Sequence, residues 1–175
     1  MFNGNMPQLM AAYNQWQNAQ LFDACLQLGD DERKADRGAF FQSIHHTLNH
    51  ILWADLNWMG RFTGIKPVLP PLGEDIHADF AALHAARLEL DARIVAWADG
   101  LSSEWLNEPV TWSSVLYKFT QTIPRWVQVQ HFFNHQTHHR AQVGTLLKQA
   151  GIDIGITDLP MLPMLNAQAD EDELS

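Results

Sequence analysis

Apolar residues recur at helical spacing in four stretches of this chain, and the breaks between them are as informative as the stretches. Between Met6 and Leu28 the positions Leu9, Met10, Tyr13, Trp16, Leu21 and Cys25 fit one helix that ends before Gly29-Asp30-Asp31. A second helix is predicted from Asp36 to Phe62, with Phe41, Ile44, Leu48, Ile51, Leu52, Met59 and Phe62 on one stripe. The segment from Gly60 to Gly73 holds Gly64, Pro67, Pro70 and Pro71, which cannot continue a helix. Its length predicts a crossover rather than a tight hairpin. A third helix is expected from Glu74 to Asp99 on Ile76, Phe80, Leu83, Leu90, Ile94 and Trp97, stopped by Gly100. From Glu104 to Ile123 the helical period fades into β-branched and aromatic residues, Val110, Thr111, Trp112, Val115, Tyr117, Phe119 and Thr120, which read as a short hairpin. Pro124 suits the first turn of a fourth helix running through Phe132, Phe133, Val143, Leu146 and Leu147 to Gly151. Residues 151–175, with Gly155, Pro160, Pro163 and the run Asp170-Glu171-Asp172-Glu173, read as an irregular arm with a solvated acidic tail. No internal repeat is visible. The expectation is an all-α four-helix bundle with a short hairpin before the last helix.

Composition narrows this to one domain over residues 1–175. At 175 residues with 46% hydrophobic content the chain suffices for one sizeable core, whereas two would each be thin. Seven Trp and nine Phe make that core aromatic. A net charge of -9 with only 11 basic residues gives no footprint for a phosphate backbone, so a nucleic-acid partner is excluded. No apolar run approaches a membrane span, and the first residues show no basic region followed by an apolar stretch. A cytoplasmic protein without a membrane partner is expected. The single cysteine, Cys25, has no internal disulfide partner and sits among Leu21, Phe22 and Leu28, where a small buried side chain is the simpler reading than a nucleophile.

The histidines carry the chemistry. Seven of the nine fall in two predicted helices: His45, His46 and His50 in the second, and His131, His135, His138 and His139 in the fourth. His131, His135 and His139 follow one another at intervals of four residues, each step turning about 40° and rising about 6 Å along one face. Adjacent rungs can bring two ring nitrogens to one ion about 2.0–2.1 Å from each. A straight helix cannot wrap round an ion, so a third ligand must come from the second helix. With Ile44 as zero, the apolar stripe lies within about 80°, whereas His50 falls near 240°, roughly on a strip with Ser43, Thr47, Ala54 and Asn57. His46 lies on a neighbouring strip, and spacing does not choose between them. Against this stands the plainer fact that a lone helical histidine is more often hydrogen-bonded or at the surface, the reading given to His45, His46, His77, His84 and His138. Trp53, Trp58, Trp97 and Trp126 are read as core. Asp55 lies on the apolar side of its helix, away from His50, so no general base is evident.

Three segments resemble the DinB/YfiT-like family of metalloproteins: Tyr13-Asn14-Gln15-Trp16-Gln17-Asn18, the stretch Gly38 to Asp55 containing His45-His46-Thr47-Leu48-Asn49-His50, and Phe132 to Gln142 containing His135-Gln136-Thr137-His138-His139-Arg140-Ala141-Gln142. The likeness runs in order from about Tyr13 to Pro160. By motif position it implies His50, His135 and His139 as metal ligands, and not His131 or His138. One departure is Ala141, where the family commonly has Gly; no donor atom is lost. The resemblance also implies an up-down-down-up bundle and frequent homodimers. Three imidazoles leave a coordination position open, as in catalytic sites, and imidazole suits zinc or nickel. Relatives of this kind include thiol-dependent S-transferases and isomerases, so the expectation is transfer of a low-molecular-weight thiol to a small-molecule substrate. The alternatives are metal-dependent hydrolysis and a non-catalytic metal or stress-response role in which His46 or His131 closes the site as a fourth ligand.

Overall fold

Side-chain caps set where each long helix begins. The structure is a computed structural model that describes residues 5–114 and 118–165. Helix α1, Met6–Cys25, starts where Asn5 accepts a hydrogen bond from Gln8 N at 3.3 Å, with Pro7 in its first turn. The short α2, Asp30–Lys34, places acids in its first turn and Arg33 and Lys34 in its last, matching the helix dipole. Helix α3, Ile44–Thr63, is capped by Ser43, which accepts from His46 N at 3.0 Å, and is closed by Gly64 at φ 76°. Helix α4, Phe80–Asp99, is capped by Asp79, which accepts from Ala82 N at 2.8 Å. After α5, Ser103–Asn107, the strands β1, Pro109–Ser114, and β2, Phe119–Pro124, pair antiparallel with Pro109 opposite Pro124. Helix α6, Arg125–Gln149, follows directly, and a 3-10 turn spans Leu159–Met161.

The four helices and the hairpin agree with the apolar pattern, but several boundaries move. The second long helix begins at Ile44 rather than Asp36, because Gly38 and Gln42 take φ of 71° and 62° and Arg37 N donates to Gln42 O at 2.8 Å, folding residues 36–43 into a loop. The third begins at Phe80 rather than Glu74. The backbone ahead of it is held to α3 instead, where the Asn49 side chain accepts from His77 N at 2.9 Å and donates to His77 O at 3.1 Å. The first helix stops at Cys25, short of Leu28, and Pro124 ends β2 and caps α6 without entering its first turn. Helices α2 and α5, five residues each, are too short for periodicity to reveal. Val115, Tyr117 and the acidic run at Asp170 to Glu173 lie outside the described residues.

Packing follows a ring in which α1 touches α4 and α6, and α3 touches α6 and α4. Directions can be read from matched contacts. On α3 and α6, His50 meets His139 while Trp58 meets His131, so these helices are antiparallel. On α3 and α4, Asp55 meets Arg87 while Phe62 meets Trp97, so these are parallel. Asn18 meets Asp91 and Phe22 meets Phe80, which makes α1 antiparallel to α4. The result is the up-down-down-up bundle. Its parallel middle pair requires the predicted crossover, which runs back along α3: Pro67 lies against Gly60, where a Cβ would come within 2.5 Å of Pro67 Cδ, and Pro70 O accepts from Trp53 Nε1 at 2.8 Å.

The interior is aromatic, with Phe22, Phe132 and Phe133 at most 2% exposed, but it also encloses a polar cluster. Arg87 Nη1 contacts Asp55 Oδ2 at 2.6 Å and Arg87 Nη2 contacts Asp91 Oδ1 at 2.8 Å. Asp91 accepts from Asn14 at 3.1 Å and from Asn18 at 3.0 Å, and Arg140 donates to Asn14. One cluster therefore joins α1, α3, α4 and α6. Trp58 is buried and Trp53 and Trp97 half-buried, as core residues should be, but Trp126 is 49% exposed near the start of α6, contrary to its reading as core. Cys25 is fully buried, and burial pushes its thiol up to about 12, as expected of an inert side chain. Replacing Arg87 with Met leaves two buried carboxylates without their cation. Urea unfolding should show a loss of roughly 3–5 kcal/mol, whereas Lys34→Met, which breaks the exposed pair with Asp30, should leave the unfolding midpoint nearly unchanged.

Candidate metal centre

Two helices, each capped or packed for its own reasons, bring three histidines to one place. His50 projects from the second turn of α3, and His135 and His139 from successive turns of α6. Ring centroids lie 5.3 Å apart for His50 and His135, 4.6 Å for His50 and His139, and 4.4 Å for His135 and His139. Each ring offers a nitrogen, and the three nitrogens lie within 4.8 Å of one another. Such a group could hold a metal ion. Among the described residues no fourth His, Cys, Asp or Glu joins it. The strip predicted to accompany His50 faces inward as the apolar stripe does, with Ser43, Thr47 and Ala54 buried and Asn57 half-buried.

The donor set suits a cation that binds neutral imidazole. Burial, and then the neighbouring His139 and His46, push His50 down to about 4. Burial, followed by His139 and His50, pushes His135 down to about 3. His139 is also lowered by burial, opposed by its hydrogen bond to Gln142. All three rings are therefore uncharged at neutral pH, with lone pairs free for coordination. The Nδ1 atoms of His50 and His135 are buried and have no hydrogen-bond partner among the described residues. A buried polar atom left this way costs free energy unless something else satisfies it.

The remaining histidines are accounted for without a ligand. His45 contacts His77 O at 2.9 Å, and His46 Nδ1 lies 2.6 Å from Asp75 Oδ1, which turns it toward the crossover. His131 is exposed, packs edge-on against Trp58 with centroids 5.3 Å apart, and stays 6.0 Å from His135. His84 stacks on Phe22 at 4.8 Å, and His138 is exposed. Asp55 is fully buried against Arg87, so it offers no base to the triad.

Two neighbours escaped the sequence reading. Phe41, assigned there to the helical stripe, sits in the loop before α3 and stacks on His50 with centroids 3.9 Å apart and planes 22° apart; it also meets His139 edge-on at 5.6 Å. Gln142 Oε1 lies 2.7 Å from His139 Nδ1, and its position three residues after His139 on the same helix was the available signal. A pocket of about 370 Å³ between α1, α6 and the arm, lined by Tyr13, Gln17, Arg140 and Lys148, lies on another face of α6 and does not include the triad.

Comparison with known families matches the DinB family over residues 1–172. The chain belongs to the DinB family. It is similar to Protein DinB of Bacillus subtilis (strain 168), with 29% identity over 158 residues that cover 83% of this chain and 87% of that one. The fold is that of the crystal structure of a DinB-like protein from Bacillus cereus ATCC 10987, with a TM-score of 0.59 and 16% identity over 82% of this chain and 90% of the other. No helix among the described residues of this DinB-family chain is long and apolar enough to cross a membrane.

The lowered histidines make metal-free stability depend on pH in a definite direction. In the fold His50 and His135 bind protons near 4 and 3, against 6.5 for an ordinary imidazole, so the unfolded chain takes up protons first as pH falls. Metal-free protein should therefore be at full strength in this respect above 6.5 and lose stability steadily as pH falls from there toward 3. Urea titrations at a series of pH values check this. The double variant His50→Gln, His135→Gln should show a shallower decline over the same interval.

Proposed function

We propose that His50, His135 and His139 hold one divalent ion, zinc or nickel, and that the loaded protein is an enzyme transferring a low-molecular-weight thiol to a small electrophilic molecule. The observation that carries this reading is the convergence of three uncharged imidazoles from two helices with no fourth protein ligand among the described residues. Three-ligand sites of this kind keep a position open for water or substrate, whereas closed structural sites fill it. His46 and His131, the residues that would close such a site, are turned to Asp75 and Trp58 instead. That favours catalysis over a purely structural ion.

An ion in this position supplies Lewis acidity, lowering the pKa of a thiol or water at its open site. The chain's own residues divide the remaining work. The histidines present neutral donors, Phe41 covers one face of His50, and the buried surroundings keep the site's dielectric low. In the proposed transfer the thiol loses its proton to solvent, a new sulfur–carbon bond forms on the electrophile, and the leaving group departs with its bonding pair. Transfer is preferred to hydrolysis because, among the described residues, no carboxylate stands at the triad to act as base on a water.

The test is metal content first and activity second, on protein without a histidine tag. Wild type should bind one ion per chain. His135→Ala and His139→Ala should abolish uptake, His50→Ala should weaken it and lose most of the thermal stabilisation that metal gives, and His138→Ala should keep stoichiometric metal. Retention of full metal by both α6 variants would overturn the ligand assignment. Zinc- or nickel-loaded protein should consume a small thiol in the presence of electrophiles. Ester cleavage without thiol loss would assign hydrolysis instead, and silence with tight metal retention a non-catalytic role.

A further inference from the structure

The bond between Gln142 and His139 fixes more than a side-chain position. Gln142 lies half-buried on α6, with its Oε1 2.7 Å from His139 Nδ1. A carboxamide oxygen only accepts hydrogen bonds, so with Oε1 toward the ring this contact puts the proton on Nδ1. The neutral ring then has its lone pair on Nε2. On its other side the Gln142 Nε2 lies 3.2 Å from His138 Nε2. An amide nitrogen only donates, so in this orientation it needs a lone pair on His138, whereas the reversed amide would require the opposite tautomer of both rings. A ring that offers Nε2 to an ion must carry its proton on Nδ1, which selects the first orientation. The Nδ1 atoms of His50 and His135 have no such partner among the described residues. Of the three rings, His139 alone has its tautomer set through Nδ1 by a neighbouring side chain.

We propose that Gln142 is a positioning residue that presents its carboxamide oxygen to His139 and holds it as the Nδ1–H tautomer, so that Nε2 is its metal-donor atom. The functional part of this inference rests on the reading of the triad as a metal site. Its physical basis is general: a ring nitrogen that donates to an oxygen acceptor orients the imidazole and makes the opposite nitrogen a better ligand. Gln142 sits one helical turn beyond His139, so the helix itself delivers the acceptor, and no other element has to move for the site to be pre-arranged.

The tautomer can be read without metal. In metal-free wild type at pH 7.5, long-range proton–nitrogen correlation of labelled histidine should show His139 protonated at Nδ1. Gln142→Leu should shift it to the Nε2–H form or to an averaged signal, with helical content and the metal-free melting midpoint unchanged. Zinc and nickel affinity, measured by competition with a coloured chelator, should fall by about 10–100-fold in Gln142→Leu. Gln142→Glu, whose carboxylate accepts the same proton, should restore the affinity to wild-type level or above. A role confined to packing would lower the melting midpoint in both variants and leave the tautomer alone. An Nδ1–H tautomer and wild-type affinity persisting in Gln142→Leu would overturn the proposal. If wild type itself takes up no metal, the metal reading fails, and the tautomer measurement still decides whether Gln142 sets His139.

Discussion

The charge cluster at the centre of the bundle is the constraint on which the site depends. Asp55, Arg87, Asp91 and Arg140 are each at most 6% exposed, and they carry two charges of each sign. Burying such groups costs several kcal/mol per ion, and their mutual attraction repays it only when the geometry is satisfied. The strain of that balance is visible in the groups themselves: burial raises the Asp55 carboxyl to about 6 despite Arg87, and lowers Arg140 to about 10 despite the distant carboxylates. A cluster so placed tolerates little sliding. Any axial shift of α3 against α4 separates Asp55 from Arg87, and any rotation of α1 removes Asn14 and Asn18 from Asp91.

That rigidity reaches the histidines through the chain. Arg140 follows His139 directly, and adjacent helical residues point about 100° apart. Once Arg140 is turned toward Asn14 on α1, His139 is turned toward α3. Asp55 lies five residues after His50 on α3, so its tie to Arg87 fixes the height at which His50 meets α6. The crossover adds a second tie. Asn49 and His45 both bond His77, and Asp75 meets His46, so the turn of α3 that carries His50 is also held by the crossover.

Much of this was legible in the amino-acid sequence, and the rest was hidden for identifiable reasons. Four periodic stretches and a β-branched interlude are local signals, and the four long helices and the hairpin answer to them. Helix starts moved because caps compete with periodicity: Ser43 and Asp79 each stop the chain from continuing a helix upstream that its apolar residues would allow. The His135 and His139 ladder followed from spacing, but the choice of His50 over His46 needed the family motif, since what removes His46 is Asp75, on a crossover whose path no local pattern specifies. Asn14, Asn18 and Arg140 were visible as motif letters without a role, because their partners lie on other helices: Asp91 is 77 residues from Asn14, and Arg140 is 126. Trp126 shows the reverse error, an aromatic residue within a helical pattern that nevertheless faces outward.

The electrostatics of the proposed centre also bear on what occupies its open position. The three donors are uncharged, and no acid joins them among the described residues. A divalent ion held by these three rings would keep its full charge in a half-buried setting, where charge is weakly screened and an anionic ligand would be attracted strongly. The chain as a whole carries a net charge of -9, so this local preference for an anion is not a property of the general surface. On the proposed reading a thiolate would suit such an ion, being anionic and polarizable, and would need no carboxylate base beside it, because the ion would lower the thiol's pKa. Phe41, stacked on His50, covers one face of that ring and keeps its surroundings apolar, which would strengthen the same preference.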